Sequence, residues 1–233
     1  MNRHFDEQLQ ELLQRVVLMG RVAESMIQLA VGGLISRNES GCTDVFIKEQ
    51  EVNAFHVEID DRAVKLTALR QPVASDARFL FMASKIGSEL ERIADQAVNI
   101  CQNAHYVLES PRPKPLIDLP IMADIAQKMV RDSLTAMINR DVSLANTVLE
   151  EEQKVDAFRD QIFHTLLREI GTENGMVQRD ISLILIARNV ERIGDHATNI
   201  AEEVIYWIQG RDVRHGHAFA GDAPAAETKP PGA

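Results

Sequence analysis

The sequence predicts an all-α protein built as two tandem, pseudo-symmetric three-helix bundles. Three observations lead there. Of 233 residues, 45% are hydrophobic but only 5% aromatic, so Leu, Ile, Val, Ala and Met carry the apolar load, as helix-on-helix packing favours. Long segments place apolar residues at alternating three- and four-residue spacings, the signature of an amphipathic helix. One stretch occurs twice, Glu91–Ile100 and Glu191–Ile200, 100 residues apart and identical at seven of ten positions.

The elements follow in order. Leu9, Leu12, Val16, Met19, Val22, Met26, Leu29 and Leu34 predict a first helix over about 5–37. A second helix runs from about Thr43, a candidate N-cap, to Ala68, with Val45, Val52, Phe55, Ile59, Ala63 and Leu66 inward, and Pro72 stops it. Ser75 is a candidate cap for a third helix over about 76–109, which carries the first motif. Its stripe of Ile86, Leu90, Ile93, Ala97, Ile100 and Ala104 is repeated by Ile186, Val190, Ile193, Ala197, Ile200 and Val204.

Pro111, Pro113, Pro115 and Pro120 mark the boundary between the halves, because proline lacks a backbone donor and breaks helices. The second half repeats more than the motif. Glu49–Phe55 aligns with Glu152–Phe158, and Leu34–Asn38 with Met137–Asp141, both at an offset of 103. Helices over about 118–139, 142–170 and 179–209 then mirror the first three, with Gly171–Gly175 as the last turn. The organisation expected is residues 1–110 as the first bundle, 111–120 as a linker, 121–210 as the second bundle and 211–233 as a disordered tail.

A formal charge of −10 and a pI near 5.2 disfavour a nucleic-acid backbone footprint. Cys42 and Cys101, without Cys-x-x-Cys spacing, read as two unpaired thiols in a reducing cytosol. The N-terminus has no apolar signal core, and no run approaches the roughly 18 apolar residues of a membrane span. A soluble, cytoplasmic protein is expected, meeting a membrane only through partners.

The motif residues carry the candidate chemistry. Glu91, Asp95 and Asn99, and likewise Glu191, Asp195 and Asn199, fall roughly opposite the apolar stripes and are read as facing outward. Stacked Glu and Asp at i,i+4 repel by about 0.2–0.5 kcal/mol, so two such pairs point to a cation above them. The second helix of each half adds an acidic flank: Glu49, Asn53 and Asp60 beside Phe55, and Glu152, Asp156 and Asp160 beside Phe158. Carboxylates and amide oxygens from two helices suit hard or borderline cations such as Mg, Mn, Fe or Zn. A solvated acidic face, or salt bridging by Arg92 and Arg192, explains the same pattern structurally.

His196 is either a nitrogen ligand in the second half or a solvated helical histidine, and His215 and His217 read as tail residues. Glu-x-x-His pairs, a Gly-rich phosphate loop, a serine nucleophile elbow and His-Glu-x-x-His are all missing from the sequence. No catalytic residue is assigned, and a non-enzymatic role is expected. The alternative is a metal-dependent hydrolase or phosphatase using the same carboxylates.

The doubled Glu-Arg-Ile-x-Asp motif, the connector Arg70–Asp76, the stretch Ala187–Ala201 and the ending Tyr206–His215 resemble the PhoU family, bacterial regulators that accompany the phosphate-specific ABC transporter. The resemblance runs from about residue 5 to 215 and implies two similar three-helix bundles, with metal clusters bound at Glu91, Asp95, Glu191 and Asp195. It further implies repression of the phosphate-starvation regulon and restraint of uptake. In that role the protein is a homodimer bridging the transporter's ATP-binding subunit and the sensor histidine kinase. Asn53 opposite Asp156, and Ala94 opposite Gly194, depart from the repeat and imply unequal metal sites.

Overall fold

Left-handed backbone at two equivalent residues ends the first helix of each half. Arg37 (φ 55°) and Arg140 (φ 52°) turn the chain. The next residues close the helix ends, with Asn38 N–H donating to Gly33 O and Asp141 N–H to Ala136 O, each at 2.9 Å. The Asn38 and Asp141 carboxamide and carboxylate oxygens then accept from Ser40 N–H (2.9 Å) and Leu144 N–H (3.0 Å) to start the following helix.

A computed structural model describes residues 3–110, 118–170 and 177–214. It contains α1 (Arg3–Ser36), α2 (Ser40–Arg70), α3 (Ala74–Leu108), α4 (Asp118–Asn139), α5 (Val142–Ile170) and α6 (Val177–Gln209). No strand occurs among the described residues. Helices α1–α3 pack on one another, as do α4–α6, giving the two expected three-helix bundles. The halves join chiefly along α3 and α6, which run antiparallel, and secondarily along α1 and α4.

Local details differ from the sequence expectations. Helix α2 begins before Thr43, and α3 begins at Ala74 after extended Val73, so Ser75 lies inside the helix with its hydroxyl on Asp76. Pro120 belongs to the first turn of α4, where a missing N–H costs nothing. Pro111, Pro113, Pro115 and the turn 171–175 lie outside the described residues. Residues 211–214, expected in the tail, lie beside α6, where Arg214 pairs with Asp212 and, at 3.3 Å, with Glu203. His215, His217 and the rest of the tail lie outside the described residues.

Helix α1 also differs from expectation. Over His4–Ser36 it reaches a mean hydropathy of 1.3 in an 18-residue window, long and apolar enough to cross a membrane by length and composition. Half of that window is buried in the bundle, with Leu12, Val16, Met19, Ala23, Met26 and Ala30 at alternating four- and three-residue spacing. Its charges are also engaged within the fold, Arg15 with Glu58 at 3.3 Å and Glu24 with Arg131 at 2.7 Å. Its inward apolar stripe is core, while Leu18 and Ile35 stay exposed.

The two cysteines are paired, contrary to the expectation of free thiols. Cys42 in the first turn of α2 and Cys101 on α3 form a disulfide with Cα atoms 5.4 Å apart. They stand 59 residues apart in sequence and meet only because α2 and α3 pair antiparallel. Closing a loop of that length is worth on the order of 4 kcal/mol in the chain-entropy account.

Polar contacts fix the register of the α3–α6 seam. Lys85 pairs with Glu203 at 2.7 Å. Glu89 accepts from His196 Nδ1 at 2.8 Å and from Asn199 Nδ2 at 3.0 Å. Burial acts to raise the Glu89 carboxyl, but these bonds and the charges of His196 and Arg92 outweigh it and hold the group below the usual carboxylate range. That stabilisation is present above the ordinary carboxylate range and is lost as pH falls through the depressed value. Glu89→Ala is expected to cost about 1–3 kcal/mol at neutral pH by leaving its partners unpaired. In urea unfolding at successively lower pH, the gap between variant and parent should close.

Candidate functional site

The second motif lies in the groove between α5 and α6. At 3.6 residues per turn, each i,i+4 step drifts about 40° round the helix. Glu191 and Asp195 therefore face α5, while Asn199, two steps on, has rotated to the α3 seam. Helix α5 presents Glu152 and Asp156 to the same groove. Three of the carboxylates are shifted: burial comes first in raising Glu152 and Asp195 above the usual range, followed by their neighbours, Asp195, Asp156 and Glu191 for Glu152, and Asp156 for Asp195. Glu191 is also raised by burial and by Asp195 and Asp156, against the opposing pull of Arg159.

Arg159 is the cation within this cluster. Its guanidinium bonds Glu191, reaches Asp160 at 3.0 Å and lies 3.7 Å from Asp156. The motif acids are not the outward-facing residues expected: the Glu191 side chain is 15% exposed, and Glu91, Asp95 and Asp195 are likewise half-buried. As the side chains lie, no three His, Cys, Asp or Glu residues among those described are arranged to share a metal ion.

In the first half, His56 occupies the repeat position of Arg159. Its Nε2 lies 3.2 Å from Ser88 Oγ and 3.6 Å from Asp60, which accepts from Ser84 Oγ at 2.5 Å. This α2–α3 register continues toward the motif and sets Glu49 opposite Asp95 and Asn53 opposite Glu91. Asp60 is tied up two turns away from Asn53, and Asp160 is exposed beside Arg159, so neither joins the central groups of its motif. Asn199 bonds Glu89 instead of flanking Asp195, which removes it from the acidic groove. Asn99 is half-buried one turn beyond Asp95.

Arg159, His56 and Glu89 were missed as site residues. Arg159 was findable as the residue three beyond Asp156, able to meet it on one helix face. Glu89 carried no such local signal. The Ala94/Gly194 departure is sterically mild: a Cβ on Gly194 would meet Val155 at 3.5 Å and Met129 at 3.7 Å, ordinary contact distances.

Because Glu152, Glu191 and Asp195 hold protons more readily in the fold than in the unfolded chain, the folded state binds more protons in the intervening pH window. Stability attributable to the cluster rises as pH falls from above the raised values to the ordinary carboxylate range. Asp195→Asn should accordingly stabilise chelator-treated protein at neutral pH by about 0.2–0.5 kcal/mol for each like-charge pair removed. Below the ordinary carboxylate range the gain should vanish, which thermal unfolding at two pH values checks.

Comparison with known proteins places this geometry. The PhoU domain model matches residues 16–104 and again 119–204, one match per bundle. A PhoU homolog of the phosphate-specific transport system from Zymomonas mobilis is 34% identical over 209 residues, covering 90% of this chain and 88% of the relative. The accessory protein PhoU of Escherichia coli is 30% identical over 219 residues, covering 92% and 91%. The crystal structure of PhoU from Pseudomonas aeruginosa superposes with a TM-score of 0.85 at 31% identity, covering 88% of this chain and 99% of that one. PhoU from Streptococcus pneumoniae shares the fold, with a TM-score of 0.83 at 22% identity and coverage of 90% and 99%. The chain belongs to the PhoU family.

Proposed function

We propose that the chain is a non-enzymatic cytoplasmic regulator of phosphate signalling and uptake. It acts as an adaptor between the ATP-binding subunit of a phosphate ABC transporter and the sensor histidine kinase of the phosphate regulon, and works as a homodimer. The observation that carries the reading is the PhoU domain matched in both halves, among relatives named accessory proteins of phosphate-specific transport. The surface of α2 supports an adaptor. Beside its inward stripe it keeps Ile47, Val57 and Val64 exposed, apolar positions for a helical partner to cover.

The acidic grooves are the candidate cation sites of this regulator. Their donors are oxygen atoms, a fit to hard or borderline ions of the Mg, Mn, Fe or Zn kind. Glu152, Asp156, Glu191 and Asp195 would hold such an ion in the second half, and Glu49, Glu91 and Asp95 beside Asn53 in the first. A bound cation would supply positive charge to carboxylates that, in the second half, burial and mutual repulsion strain.

Two measurements test this reading. A phosphate-starvation reporter in phosphate-rich medium should rise when the protein is removed from its host, and an unchanged reporter would refute negative signalling. Metal analysis should find fewer ions per chain after Asp95→Ala and Asp195→Ala, and unaltered content would dismiss the grooves as cation sites. Phosphate-ester turnover with Mn²⁺ that disappears in Asp195→Ala would favour the hydrolase alternative instead.

A further inference from the structure

The disulfide occupies a place where the fold itself needs none. At the repeat positions of Cys42 and Cys101, the second half has Ala145 and Ala201, both fully buried and packed without a crosslink. In the first half the crosslink pins a weakly held element. Across residues 40–51 of α2, Val45 is the one buried side chain, and Thr43, Asp44, Phe46 and Ile47 are exposed. The chain just before it is tied to the end of α3 by polar contacts: Arg37 Nη2 donates to Leu108 O at 2.5 Å and to Ser110 O at 2.7 Å.

The two sulfurs are not equally accessible. Cys101 is 4% exposed, whereas Cys42 is only partly buried. An open pocket of about 250 Å³ lies over the bond, lined by Glu39, Cys42, Phe46, Cys101 and His105 among others. His105 sits one helical turn beyond Cys101 on the same face of α3. Its hydrogen bond to Glu39, followed by the charge of Glu109, holds the imidazole toward its protonated form. In that form it favours a thiolate on the neighbouring sulfur.

The geometry points to Cys42–Cys101 as a thiol–disulfide exchange site, opened through this pocket by a small dithiol and releasing the first turns of α2. A thiolate of the reductant attacks Cys42 Sγ, forming a mixed disulfide as the Cys42–Cys101 bond breaks. The bonding pair leaves on Cys101 Sγ, which takes up a proton. The reductant's second thiolate then attacks its own sulfur in the mixed disulfide and frees Cys42. The dithiol is oxidised to a disulfide, and the protein disulfide is reduced to two thiols. Reoxidation is the reverse reaction with a disulfide of the same class.

The test uses the full chain, prepared in air and treated with dithiothreitol at neutral pH, with thiols trapped by iodoacetamide and read by intact mass. Reduction of the native protein is expected within about tenfold of the rate in denaturant, since no unfolding is needed. Reduction slowed about a thousandfold or more would make the bond purely structural and overturn the proposal, as would two free thiols before any reductant is added. Single variants identify the sulfur attacked. With glutathione disulfide, Cys101→Ser, which leaves Cys42, should form a mixed disulfide at least about tenfold faster than Cys42→Ser. Equal rates would overturn the assignment of Cys42. Hydrogen exchange over residues 40–47 should increase on reduction, and in Cys42→Ala/Cys101→Ala with or without reductant. Exchange unmoved by either would overturn the release of α2.

Discussion

Everything in the structure depends on the antiparallel pairing of α3 with α6. Each of these helices touches three others, so a single apolar stripe cannot line all of its contacts. Helix α3 buries Phe79, Ala83, Ile86, Leu90, Ile93, Ala97, Ile100, Ala104 and Val107 along one seam. It also buries Leu80, Gly87, Ala94 and Cys101 along a second. The small residues of this second seam admit α2, with Ile59 and His56 meeting Gly87. What remains for Glu91 and Asp95 is the narrow margin between α2 and α3, neither core nor open solvent. At the equivalent margin between α5 and α6, Glu191 and Asp195 lose part of their hydration beside Glu152 and Asp156, which is the physical origin of the strained acidic groove in the second half.

This constraint also explains what the sequence could and could not disclose. The helices, their order and the repeat were legible because Ile86 through Ala104 and Ile186 through Val204 repeat at the helical period, and because Pro72 and the prolines from Pro111 to Pro115 punctuate the chain. The burial of the motif acids was not legible. The second seam consists largely of glycine, alanine and cysteine at seven-residue spacing, too small and too sparse to stand out as a hydrophobic face. Reading one stripe as the only buried face put Glu191 in solvent, where the structure has it 15% exposed. Contacts across the seam, such as Glu89 with His196 and Asn199, depend on the tertiary register of residues more than 100 positions apart. No local pattern encodes that register. The disulfide was hidden for the same reason.

The two halves keep three acids of each groove in common and differ at two neighbouring positions. The second half adds a carboxylate, Asp156, where the first has Asn53, and it adds a guanidinium, Arg159, where the first has His56. Four carboxylates and one guanidinium therefore stand in the second groove, against the three carboxylates Glu49, Glu91 and Asp95 in the first. The means of balancing these acids therefore differs between the halves. In the second half part of the balance is built in, because Arg159 is tethered to α5 and already bonded to Glu191. In the first half His56 is turned to Ser88 and Asp60 instead, so that repeat position brings no tethered cation to Glu91 and Asp95. A tethered cation adds no translational entropy cost each time it neutralises its partners, whereas a free ion does. The second groove is therefore the one in which the fold itself supplies part of the countercharge, whereas the first has no tethered cation at the repeat position of Arg159.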